Sequence, residues 1–255
     1  MIRSSFLKGA RWLGALAIVG GCAPGGTRPH EMSVAGHQAA AQREDANAGT
    51  HHALYNPSVA ESYERCSGGP AASKLSGYVD NCWIALRNPT DAHVRMAEQH
   101  RSLAEKHRAA AQTLVGVEAR ACVGVSEYDR DVSPFAHRED IATVAPILDQ
   151  ALGSRGGPLV ERTRGARITF HDVPGLTAER LQTIVDCHLA RNAVLGHDSP
   201  EMLDCPLVPK DVTAQVGQTE SGHLTVDVRA EDLVTGQEIW RRVQRLTQTS
   251  PLSSK

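Results

Sequence analysis

The chain is poor in aromatic side chains, with 3 Phe, 4 Tyr and 3 Trp among 255 residues. Too few large rings are present to fill a thick core, and the abundant alanine points instead to close packing of small side chains. The apolar run Trp12 to Val19 is too short to span a bilayer as a helix. No G-x-S-x-G, P-loop, H-E-x-x-H or G-x-G-x-x-G occurs, so the common hydrolase, nucleotide and metalloprotease signatures are missing. No block of five like charges is present either. Lys and Arg number 27 against 29 Asp and Glu, a net charge of −2, which argues against a nucleic-acid partner.

What the chain does have begins at its N-terminus. Arg3, Lys8 and Arg11 precede the run Trp12 to Val19, and Val19-Gly20-Gly21-Cys22 follows. A basic segment, a short apolar segment and small residues form the pattern of a secretory signal. The sequence Val19-Gly20-Gly21-Cys22 resembles the lipobox of bacterial lipoproteins. That resemblance implies cleavage before Cys22, attachment of acyl chains to it, and the lipid bilayer as a partner. Two or more acyl chains anchor stably. Ala23 in place of Asp implies, by the sorting pattern of such proteins, the outer membrane with the body facing the periplasm. Without residues 1–21 the chain carries 24 basic against 29 acidic residues, a net −5.

Beyond Cys22 the cysteines are Cys66, Cys82, Cys122, Cys187 and Cys205. Exported cysteines tend to pair. The local choices are Cys66 with Cys82 and Cys187 with Cys205, each closing a short loop and leaving Cys122 over, buried or free.

The organisation predicted along the chain is α+β. Residues 1–21 read as signal peptide and 22–32 as a lipidated cysteine with a flexible tether. Residues 33–152 read as a helical-hairpin region: Ser33 caps a first helix over 34–54, a loop rich in Asn, Pro and Gly covers 55–89, and Thr90 or Asp91 caps a second helix running to about Ala121. The Gly-rich stretch Gly153-Ser154-Arg155-Gly156-Gly157-Pro158 marks a linker over 153–164. Residues 165–248 read β-α-β-β-α: a strand at Ile168 and Phe170, a helix capped by Thr177 and stopped by Gly196, two strands around Val212–Val216 and Leu224–Val228, and a helix opened by a Thr235–Glu238 capping box. This order resembles a ferredoxin-like split β-α-β unit without its last strand. Residues 249–255 form a tail.

His93, His100 and His107 recur every seven residues, as do His30, His37, Glu44 and His51. Seven residues make about 700°, so each set shares one helical stripe. Each step rises roughly 10.5 Å, however, so two histidines seven apart cannot share one ion. Two readings stay open. In the first, His93, Met96, His100 and His107 are candidate ligands for Cu or Zn, with Met96 and His100 at i, i+4 and the first helix supplying the remaining donors. In the second, the histidines border an apolar seam, Met96, Leu103, Ala110 and Val117, and serve packing.

Cys187, His188, His197 and Cys205 contain ligand-type residues but no C-x2-4-C pair. The segment from Asp129 to Asp140 is a candidate polar loop. The sequence therefore leads to the expectation of a non-enzymatic envelope lipoprotein that binds or scaffolds other envelope proteins, with Cu or Zn handling as the alternative.

Overall fold

The computed structural model describes residues 26–67, 81–153 and 157–248. The signal segment, the Cys22 lipidation site and the tail 249–255 lie outside the described residues. The fold is mixed α/β, with a helical hairpin, a two-stranded ribbon and a four-stranded antiparallel sheet.

Helices α1 (Val34–Leu54) and α2 (Asp91–Ala121) pack side by side. Ser33 caps α1, its Oγ accepting from the Gly36 amide at 2.9 Å. Thr90 precedes α2 without a side-chain cap. Its hydroxyl instead meets the Asn88 side chain and the Asn56 carbonyl across the chain reversal. The buried positions of α1 are His37, Ala40, Ala41 and Ala48; those of α2 are Ala97, Ala104, His107, Ala110, Ala111 and Leu114. This corrects the predicted seam. Met96 is 45% exposed, whereas Ala104 is fully buried. The contact runs through the alanines four residues after each histidine, because methyl-sized side chains let two helices approach closely and a thioether does not.

Strands β1 (Glu61–Ser67) and β2 (Asn81–Arg87) form an antiparallel ribbon between α1 and α2, in the span read as loop. A short helix α3 (Glu127–Asp131) follows α2. Strands β3 (Ile141–Gly153) and β4 (Gly157–Phe170) then pair along their length. The segment expected as a linker is thus strand from residue 157 onward, and Ile141–Gly153 before it is the partner strand. Helix α4 (Ala178–Leu195), strands β5 (Val212–Gln218) and β6 (Leu224–Ala230) and helix α5 (Leu233–Thr247) complete the fold.

The sheet order is β3-β4-β6-β5, antiparallel throughout. β4 and β5, joined through α4, are therefore split by β6. One face carries Ala166, Ile168 and Phe170 of β4 with Leu224, Val226 and Val228 of β6, packed on Leu181 and Val185 of α4 and Ile239, Val243 and Leu246 of α5. Period-two side chains on strands and period-3.6 side chains on helices build this two-layer core. The opposite face presents Arg167 and Asp227, whose two hydrogen bonds of 2.6 and 2.7 Å hold the Asp227 carboxyl below its ordinary range.

The start of α5 differs from the expected capping box. Asp232 is the cap, accepting from the Thr235 amide at 2.8 Å, and the helix begins two residues before Thr235. Gly236 lies inside the helix because it touches β4: a Cβ there would stand 2.7 Å from the Thr163 carbonyl oxygen. Gly236→Ala in an exposed helix would stabilise by about 1 kcal/mol. Here the clash with backbone reverses the sign, and we expect a loss of about 1–3 kcal/mol, read as a lower urea midpoint at unchanged slope. A midpoint equal to or above that of the parent would refute the close approach.

Candidate functional site

The two seven-residue grids meet face to face. His37 faces His107, Glu44 faces His100 and His51 faces His93, so paired residue numbers sum to 144 at every rung. An antiparallel hairpin with heptad steps on both helices requires this register.

The inner rung is sealed. His37 Nδ1 lies 3.1 Å from His107 Nδ1, and His37 Nε2 lies 3.2 Å from the Pro29 carbonyl oxygen. Both rings are buried. Two imidazoles this close share one proton between their Nδ1 atoms, one donating and the other accepting. Burial, then the neighbouring His37, holds the His107 pKa below its ordinary value, with Glu44 pulling the other way. In the middle rung His100 Nδ1 meets Glu44 Oε2 at 2.6 Å. In the outer rung His51 Nδ1 and His93 Nδ1 are 3.1 Å apart, and the His51 ring also stacks on His100, centroids 5.4 Å apart and 9° from parallel. Arg108 and Asp45 add an ion pair on the flank.

Of the candidate ligands, His93, His100 and His107 all turn into the hairpin, each against a different partner, while Met96 stays on the outside. His37, Glu44 and His51 complete the ladder. Their spacing was visible in the sequence; the register that pairs them was not. Among the described residues the one group of three potential ligand atoms within mutual reach is Glu64, Cys66 and Cys82. Its two sulfurs form a disulfide and so offer no thiolate.

The disulfides are Cys66–Cys82 and Cys122–Cys187. The second corrects the expected Cys187–Cys205 bond. Cys122 ends α2 and Cys187 sits in the middle of α4, 65 residues away, so the bond ties the hairpin to the C-terminal sheet layer. Cys205 remains a free, buried thiol whose pKa burial pushes up, which disfavours the reactive thiolate. His188 is buried on α4 and donates from Nε2 to the Asp129 carbonyl at 2.8 Å. His197 faces the Val208 carbonyl at 3.0 Å through Nδ1. The four-residue Cys–His set is thus dispersed into packing roles. The polar loop is likewise a fastening: Asp129 and Asp131 bind Arg180 and Arg191 of α4, and Phe135 enters the core.

The ribbon is the other unusual surface. Tyr63, Trp83, Ile84 and Leu86 are all exposed, the last two at 68% and 73%. Register puts Tyr63 and Trp83 on one face with Arg65 and Arg87, which lie 5.9 Å over Trp83 and 5.5 Å over Tyr63 respectively. Ile84 and Leu86 share the opposite face with the disulfide. At the ribbon base, Asn88 Nδ2 donates to the Asn56 carbonyl at 2.7 Å and the Asn56 amide donates to the Thr90 hydroxyl at 3.1 Å. A groove of about 700 Å³ also opens between α2 and α4, lined by His30, Leu114, Val117, Leu189 and His197. Compared with known proteins, the chain matches no family model, no curated protein and no solved structure.

Proposed function

We propose that the protein is a non-enzymatic binding protein of the bacterial cell envelope, anchored by acyl chains on Cys22 in the outer membrane with its body in the periplasm. In this reading the ribbon β1–β2 is the docking arm for an envelope protein partner, and no nucleic acid is involved. The observation that carries the reading is the ribbon itself. It exposes two of the chain's few aromatic rings and two large aliphatic side chains, and it is clamped at its base by Asn56, Asn88 and Thr90 and cross-linked near its far end by Cys66–Cys82. An apolar surface held rigid before contact loses little entropy on binding. The two disulfides suit an oxidising compartment. The C-terminal layer is best read as a ferredoxin-like support, with β3 in the place of the missing last strand.

A photo-crosslinking residue in place of Trp83, in intact cells, is expected to give a discrete protein adduct. Tyr63→Asp, on the same face of the ribbon as the probe, is expected to abolish it. The same probe at exposed Gln112 on α2 is the control; adducts equal to that control, or none, would overturn the docking role. The second reading, Cu or Zn handling, is favoured by the imidazole contacts across the hairpin.

A further inference from the structure

The two imidazole pairs of the ladder have the same 3.1 Å contact but different surroundings. His37–His107 is shut in, and the second nitrogen of His37 is already engaged by Pro29. Among the described residues no third His, Cys, Asp or Glu donor atom lies within reach of both rings. His51 and His93 are only partly buried, and they stand at the end of the hairpin where the chain reverses. Met96 follows His93 at i+3, on an adjoining part of the same helix face, and its side chain is 45% exposed. Three rotatable bonds leave the thioether free to swing toward the pair.

Two nitrogens bound to one tetrahedral ion at ~2.0–2.1 Å lie about 3.3 Å apart. The His51 and His93 Nδ1 atoms already stand at 3.1 Å. The ends of both helices are locked at that spacing by the Asn56–Asn88–Thr90 clamp. The His51 ring is backed by His100, which Glu44 holds by its own Nδ1. A rigid two-imidazole bite with a mobile thioether is a soft, copper-favouring donor set, whereas zinc gains little from the sulfur.

We propose that His51 Nδ1, His93 Nδ1 and Met96 Sδ hold one copper ion at this end of the hairpin. This goes beyond the docking role and does not depend on it. On binding, the proton shared between the two Nδ1 atoms moves to Nε2 of the imidazole that carried it, so both Nδ1 lone pairs face the ion and no net proton is released from a neutral pair. Glu44 and His100 are positioning residues that keep the His51 ring in its plane.

The test uses the full chain in detergent micelles, stripped of metal, with Cu⁺ alone or Zn²⁺ alone added against a competing chelator. One Cu⁺ per chain is expected at micromolar affinity or tighter, at least about tenfold tighter than Zn²⁺. His51→Asn is expected to weaken copper roughly 100-fold or more, and Met96→Leu about tenfold while leaving Zn²⁺ within about threefold. His107→Asn, in the sealed rung, should leave copper within about threefold. Copper binding weaker than about micromolar, or unchanged by His51→Asn, overturns the site. So does equal loss in His51→Asn and His107→Asn with helical content intact. Should His51→Asn unfold the hairpin, Met96→Leu decides alone, because that side chain is 45% exposed and leucine matches its size: undiminished Cu⁺ affinity in it overturns the assignment.

Discussion

Replacing Cys122 and Cys187 together by alanine is expected to lower the melting temperature by roughly 8–16 °C. The bond closes a span of 65 residues, and in the chain-entropy account such a loop stabilises the folded state by about 4 kcal/mol. For a chain of this size each kcal/mol moves the midpoint by about 2–4 °C. The site amplifies the effect. Both cysteines are buried with Val125 and Ile184 in a small cluster that lies apart from the main core. That cluster sits where α2 packs on α4, the principal contact between hairpin and sheet layer. Without the bond, the hairpin is held to that layer by the small Val125–Ile184 cluster and by ion pairs such as Arg191–Glu118, and exposed or half-exposed ion pairs contribute little. The Cys66–Cys82 pair is the internal control. It closes only 16 residues on a ribbon whose described residues are mostly exposed, so its loss frees the ribbon locally and should move the global midpoint by less than about 2 °C. Thermal melts by circular dichroism on both double variants check this. Equal shifts in the two, or a shift below about 3 °C for Cys122 and Cys187, would show that the hairpin does not depend on its covalent tie.

How much of this was legible depends on whether the signal was local. The spans of α1 and α4 follow from caps and breakers that act within one turn, such as Ser33, Thr177 and Gly196. The β5–β6 hairpin follows from alternation across a short turn. The β3–β4 pair escaped because Pro146 and the glycines of 153–158 interrupt the apolar pattern. Pro146 lies in β3 at the edge of the sheet, the position where strands tolerate proline. The hairpin seam escaped for a different reason. A search for the bulkiest stripe selects Met96 and Leu103, but the helices meet on Ala97, Ala104 and Ala111, whose value lies in being small. The disulfide partners of Cys187 were invisible because α2 and α4 are brought together only by tertiary packing. The ladder was half visible: the period of seven placed each histidine on a stripe, and only the antiparallel register gave each its partner.

Acid is expected to destabilise the protein in a window set by three histidines whose pKa values are held below the ordinary one. Burial is the leading cause for each of His107, His188 and His197. His107 faces His37, Glu44 and Arg43; only Glu44 favours its proton. His188 faces the Asp129 and Val132 carbonyls, Arg191 and the Asp129 side chain, and its Nδ1 is buried without a partner. His197 faces the Val208 carbonyl, Asp211, Lys210 and His30. A depressed folded pKa means that the unfolded chain binds more protons, so stability rises with pH. The contribution is complete above the unfolded value of about 6.5 and falls away as the pH drops below it. Each proton adds at most about 1.4 kcal/mol per pH unit to that slope. Asp227, held low by Arg167, has the same sign but acts only in the carboxylate range, so between pH 6.5 and 5 the histidines set the slope. Melting temperatures should therefore be flat from about pH 8 to 7 and fall steadily from 6.5 to 5. His188→Gln keeps an amide donor for the Asp129 carbonyl while removing the titration, and should flatten the descent even where it lowers the plateau. A stability that rises on acidification, or a slope untouched by this substitution, would contradict the assignment. Because His107, whose pKa burial holds down, faces His37 across the hairpin at 3.1 Å, the same window should bring a loss of helical signal in step with the fall in melting temperature.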